Sequence, residues 1–185
     1  MTMTYVTAVE VLDNTKIYSD LYILESLHTA KIYVAEKDIV YFINLLDHSD
    51  SGIVTNALYA LVHIYRVECA TDLLLAFSKR DPHDHMEMPI QSQALRSLYR
   101  TAKEDPRTIE AFKQVAFDPK SADSPRKLAC AYLAEIYGVP WHEEYDHAMI
   151  WDAEGELSSS VRRQIQEAIK AKENSQGLVL DPPQS

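Results

Sequence analysis

The sequence predicts an all-α chain, a short array of antiparallel helix hairpins closed by a C-terminal capping helix. Three observations carry that expectation. Residues 51–66, SGIVTNALYALVHIYR, place Val54, Ala57, Leu58, Leu61, Ile64 and Tyr65 at spacings of three and four, the period of one helix face. The pattern returns as ALRSLYRTA from Ala94 and ACAYLAEIY from Ala129, so the small alanine of ALYALVHIY recurs after 37 and then 35 residues. A period in that range, with two helices per unit, marks stacked helical repeats. The chain also carries only 4 glycines in 185 residues, and helices are the structures that need glycine least.

The elements follow in order. Tyr5, Val6, Val9, Val11 and Leu12 read as a first short helix, interrupted at Asp13-Asn14. Ser19 is a good N-cap for a second helix through about Val34, with Tyr22, Ile23, Leu27 and Ala30 as its inner face. Asp38 opens the short helix DIVYFINLLD, the polar HSDS turns the chain, and Asp50 or Ser51 caps the helix through Arg66. A second hairpin runs from about Glu68 to Lys103, with ATDLLLAFSK as its first helix and Pro89 near the start of its second. A third begins at Asp105-Pro106. Ser124-Pro125 repeats that cap-and-proline device for RKLACAYLAEIY, and Gly138 ends it. After Pro140 comes WHEEYDHAMIWDAEGEL, two tryptophans with six acids and no base. Ser158–Ser160 then cap a final amphipathic helix with Val161, Ile165, Ala168 and Ile169 on one face. One domain is expected over residues 1–173, with a disordered tail from Asn174.

The segment LLDHSDSGIVTNALYALVHIY, a polar turn leading into a small-residue, leucine-rich second helix, resembles HEAT-repeat α-solenoids. The resemblance covers about Asp38 to Tyr137 and implies a short right-handed array whose second helices line a concave surface. The loop from Asp81 to Met88 is longer than such turns usually are, and neither end of the chain fits a repeat. An ordinary helical bundle with similar amphipathic helices is the alternative.

Composition narrows the function classes. Hydrophobic content of 46% with 25% charge belongs to an ordinary globular chain. The first twenty residues lack a basic stretch followed by an apolar core, and no apolar run approaches the ~20 residues that span a bilayer. A cytoplasmic chain with no membrane partner is expected, with Cys69 and Cys130 as buried free thiols. The net charge is −10, and the acids concentrate in residues 1–60, with 8 acids against 3 bases, and in residues 141–160. Such a balance repels phosphates at long range and argues against nucleic acid as a general partner.

Chemistry-bearing motifs are sparse. Gly52, Gly138, Gly155 and Gly177 lie far apart, which removes phosphate-cradling loops, and no GxSxG elbow occurs. His142 and His147 are five apart, whereas the HExxH zinc motif needs four to bring both imidazoles to one helix face. In DPHDHMEM, His83, Asp84, His85 and Glu87 would hold a metal only from a loop. A repeated His-Glu pair, as in some HEAT-like metalloenzymes, is not indicated, since His142-Glu143 is the only such pair. No catalytic residue, cofactor or metal is therefore expected.

A binding surface is the better candidate. Asn56, Tyr59, His63 and Arg66 share the face opposite the apolar one, and the 37-residue offset adds Gln93, Arg96, Arg100 and Lys103. If the resemblance holds, these residues line one groove that is basic in its middle. Glu143, Glu144 and Asp146, beside Trp141, Tyr145 and Trp151, form a second candidate surface. The expected function is a non-catalytic protein–protein interaction module. Small acidic helical-repeat proteins include bacterial immunity proteins, which neutralise a cognate toxin by covering its active site. Size, charge and architecture suggest that class. The alternatives are an anionic-ligand or nucleic-acid site in the basic groove, and a metal-dependent enzyme using the His83/His85 loop.

Overall fold

Nine α-helices and no strand make up the described residues, 3–80, 87–139 and 159–177, of the computed structural model. They fall into two units, residues 1–102 and residues 103–185.

The first unit holds α1 (Tyr5–Asp13), α2 (Asp20–Tyr33), α3 (Ile39–Asn44), α4 (Ser51–Tyr59), α5 (Ala70–Ser78) and α6 (Glu87–Ala102). Helix α1 pairs with α2, and α5 pairs with α6. Helix α4 packs against both α2 and α6. The sequence positions these helices by capping. Thr4 accepts from the Thr7 N–H at 3.3 Å, and the Asp50 carboxylate accepts from the Ile53 N–H at 2.9 Å, each satisfying a donor the helix leaves orphaned. Ile23, Leu27, Phe42, Ile53, Leu58, Leu61, Leu74, Leu95 and Leu98 are fully buried between the helices. Each such side chain contributes about 1.5–3 kcal/mol relative to exposure.

Several local expectations are corrected here. Tyr22 is exposed, and Ser26 takes its place in the buried stripe of α2, because its hydroxyl is satisfied by the Tyr22 carbonyl at 2.7 Å. Asp38 sits at the start of α3 without capping it. Its fully buried carboxylate instead accepts the Tyr5 hydroxyl at 2.9 and 3.0 Å, which ties α1 to α3. Cys69 is exposed, since it lies in the connection just before α5, whereas Cys130 is buried and burial pushes its thiol up to about 12. Both are free thiols.

The largest departure is in the helix of residues 51–66. It is α-helical only to Tyr59 and continues as a π-helical turn, Ala60–Ile64, with the Tyr65 N–H bonded to the Ala60 carbonyl five residues back at 2.9 Å. The extra residue per turn rotates the buried face. Val54, Ala57, Leu58 and Leu61 are buried as the period requires, but Ala60 and Val62 join them while Ile64 and Tyr65 are only half-buried.

The second unit holds α7 (Pro106–Phe117), α8 (Asp123–Tyr137) and α9 (Ser159–Gly177). Asp105 caps α7 through the Arg107 N–H at 2.8 Å. Helix α8 starts one residue before Ser124, so Ser124 is inside it and Pro125 is its third residue, buried. Proline is tolerated in a first turn because the N–H it lacks would have no helical acceptor. Gly138 ends α8 in the left-handed region at φ 68°, where a Cβ costs roughly 1–2 kcal/mol. Helix α9 lays Val161, Ile165 and Ile169 over α8 and runs on to Gly177. Around that apolar stripe, Arg162 donates to the Phe117 carbonyl at 3.1 Å and Lys113 pairs with Glu173. Among the described residues, no helix is long and apolar enough to cross a membrane.

Candidate binding face on α4 and α6

Of the four residues expected on the outer face of α4, two turn inward. Asn56 is half-buried, donates to the Gly52 carbonyl at 2.9 Å and accepts from Lys31 Nζ of α2 at 3.0 Å. Burial holds the Lys31 ammonium below its ordinary range. His63 is half-buried against α6. Tyr59 is exposed and its ring lies 4.7 Å from that of His63. Arg66 is exposed as well.

His63 is held in one orientation by α6. Its Nε2 lies 2.9 Å from Ser97 Oγ, and Gln93 Nε2 donates to the same hydroxyl at 3.1 Å. Ser97 is fully buried, so its own proton needs an acceptor, and His63 Nε2 is the one within reach. We assign the relay as running from Gln93 to Ser97 to His63, an assignment that puts the imidazole proton on Nδ1. No described residue accepts that N–H. Burial and the nearby Arg100 charge lower the His63 pKa, so the ring is neutral at physiological pH. This Ser–His contact is not built for nucleophilic attack, because no substrate reaches a hydroxyl with 0% exposure.

Arg66 occupies the position after the π-turn. Its φ of 51° is left-handed, and the Val67 N–H closes back onto the Leu61 carbonyl at 3.1 Å. Glycine usually takes that place, and a side chain there costs roughly 1–2 kcal/mol. Beneath the turn, the Tyr65 ring packs 5.1 Å from that of Phe42, while its hydroxyl is buried without a partner. Burial, reinforced by the Asp38 charge, pushes that phenol up to about 12. Asp38, held by the Tyr5 hydroxyl, thus lies close enough to Tyr65 for its charge to bear on the residue before Arg66.

Val62, His63, Arg66, Val67, Ala70, Thr71 and Thr101 line an open cavity of about 350 Å³. Among the described residues no carboxylate lines it.

The arginines divide sharply by location. Arg107 pairs with Asp105, Arg126 with Asp123, Arg163 with Glu167, Arg162 bonds to a carbonyl, and Arg80 lies over the Phe77 ring. Arg66, Arg96 and Arg100 have no ion pair or hydrogen bond among the described residues. Arg96 and Arg100 are both exposed and one helical turn apart on α6. Lys103 is exposed and opens the second unit. Glu143, Glu144 and Asp146, and the loop histidines His83 and His85, lie outside the described residues. Among the described residues, no three His, Cys, Asp or Glu side chains are grouped to hold a metal.

Sequence reasoning overlooked Lys31, Gln93's role and Ser97. A buried-face serine one turn after a glutamine is a weak signal, and the Lys31–Asn56 bond joins residues 25 apart. Compared with protein-family models, with curated proteins and with solved structures, the chain shows no match.

Proposed function

We propose that the chain is a non-catalytic protein-interaction module, with the exposed side of α4 and α6 as its docking face. One observation carries the reading. In a chain of net charge −10, the three arginines without partners among the described residues are Arg96 and Arg100 on α6 and Arg66 just past the π-turn that continues α4. Unpaired guanidinium groups together with an exposed tyrosine, Tyr59 of α4, are the composition of an interaction hot spot. The partner surface that fits is acidic, and its carboxylates would supply the ion pairs this face lacks. The side-by-side packing of α2, α4 and α6, with α1 and α5 as outer partners, supports a HEAT-like array as the scaffold.

Within that reading the chain acts as an immunity protein, covering the active site of a cognate toxin. Co-expression with the product of the adjacent gene tests it. Rescue of cells poisoned by that product, together with a stoichiometric complex from the two purified proteins, is the expected result. A poisoned culture and no complex would remove the immunity assignment. Binding of nucleic acid that weakens steeply with salt and disappears in Arg96→Glu would replace the protein partner with a polyanion.

A further inference from the structure

We infer that the cavity between the π-turn that follows α4, the start of α5 and the end of α6 binds one oxyanion, a carboxylate or a phosphate group. The inference deepens the docking face and rests on it for the source of the anion. Of the side chains lining the cavity, Arg66 offers a guanidinium and Thr71 a hydroxyl, neither with a partner among the described residues. His63 also lines the cavity, and with Nε2 assigned as the acceptor of the Ser97 hydroxyl its remaining ring nitrogen, Nδ1, carries the proton. Thr101 does not contribute a proton, since its hydroxyl donates to the Ser97 carbonyl at 2.8 Å. Arg100 does not line the cavity but stands close enough for its charge to bear on His63.

The remaining walls, Val62, Val67 and Ala70, are apolar. Donors to an anion in such surroundings are less screened than in water, and charge-assisted bonds are about twice as strong as neutral ones. A volume of about 350 Å³ accepts an oxyanion with a few attached carbons, near the lower end of small-ligand sites. The rigidity is built in. His63 is held by its contact with Ser97 of α6, and the backbone at Arg66 is set by the left-handed turn that closes the π-turn.

The test is an NMR titration of the full chain with histidine-ring signals resolved, using glutarate and inorganic phosphate as probes at constant ionic strength. Saturable shifts of the His63 ring are expected with at least one probe, at millimolar concentrations, and not with chloride. The probe that saturates first identifies the oxyanion as carboxylate or phosphate. Arg66→Ala is expected to raise the half-saturation point about 10-fold, the loss of one charge-assisted pair. Arg100→Ala, which removes a charge near His63 and breaks no bond among the described residues, is expected to raise it by a smaller factor. Shifts that follow ionic strength alone, or a half-saturation point unmoved in both variants, would overturn the site. No partner is needed for this titration. A flat result therefore removes the cavity assignment alone, whereas partner binding indifferent to Arg96→Glu removes the docking face and leaves the cavity standing.

Discussion

Replacing Ser97 with alanine tests the organisation of the face without touching its exposed residues. The substitution is nearly isosteric and leaves the packing of α6 in place, but it deletes the hydroxyl at the centre of the relay. Two bonds disappear, the one to His63 Nε2 at 2.9 Å and the one from Gln93 at 3.1 Å. A neutral side-chain hydrogen bond contributes about 1 kcal/mol net, so the two together are expected to cost about 2 kcal/mol. For a chain of this length that lowers Tm by about 4–8 °C. Urea unfolding followed by far-UV circular dichroism gives the free energy, and ¹⁵N spectra of the imidazole give the tautomer. In the native chain Nε2 is expected to be the unprotonated nitrogen. In the variant the preference is lost, because nothing donates to it. A loss below about 0.5 kcal/mol, or native Nε2 carrying the proton, would refute the relay.

Two further outcomes concern the ground beneath the face. Tyr5→Phe removes the hydroxyl that both oxygens of buried Asp38 accept, so its urea midpoint is expected to fall well below that of the native chain. Tyr18→Phe, which alters no bond to Asp38, should not move it; equal midpoints for the two variants would show that Asp38 does not depend on Tyr5. High pH should act in the same place. Tyr65 has its pKa raised from 10.0 to about 12, so the folded chain retains a proton that the unfolded chain releases. The stability this contributes is complete below about pH 10 and is lost as pH rises towards about 12. Tyr5 and Tyr41 are shifted in the same direction and act with it. Unfolding curves across that range should fall more steeply for the native chain than for Tyr65→Phe, and identical slopes would contradict the assignment.

The helices were legible because each reports its identity locally. Asp50, Asp105 and Gly138 mark boundaries by chemistry that acts within four residues, and the three-and-four spacing of Val54, Ala57, Leu58 and Leu61 marks a buried face. The π-turn was not legible. It has no composition of its own, and it changed which of Val62, Ile64 and Tyr65 face the core. Arg66 hid for a related reason, since the left-handed residue that ends a helix is usually announced by glycine, and this chain uses arginine there and valine at Val34. Proline misled at Ser124-Pro125, because a first turn accepts it at more than one position.

The binding face was legible as a stripe and not as a site. Helical spacing placed Tyr59, His63, Arg66, Arg96 and Arg100 on outer faces of their helices. It could not show that Asn56 is tied to Lys31, nor that His63 is tied to Ser97, because those contacts join residues 25 and 34 positions apart. Nor could it separate arginines with partners from those without. That distinction depends on which carboxylates the fold brings near, and it is the property on which the functional reading rests.

The most direct measurement is the affinity of the purified partner for the chain carrying Arg66→Glu, Arg96→Glu and Arg100→Glu together. It should be set against Arg163→Glu, which lies on α9 beside Glu167. Reversing charges that contact an acidic surface is expected to cost at least about 3 kcal/mol, so the triple variant should bind about 100-fold more weakly. The Arg163→Glu control should stay within about twofold, and circular dichroism should show both variants folded. A triple variant that binds as tightly as the native chain would contradict the placement of the docking face on α4 and α6.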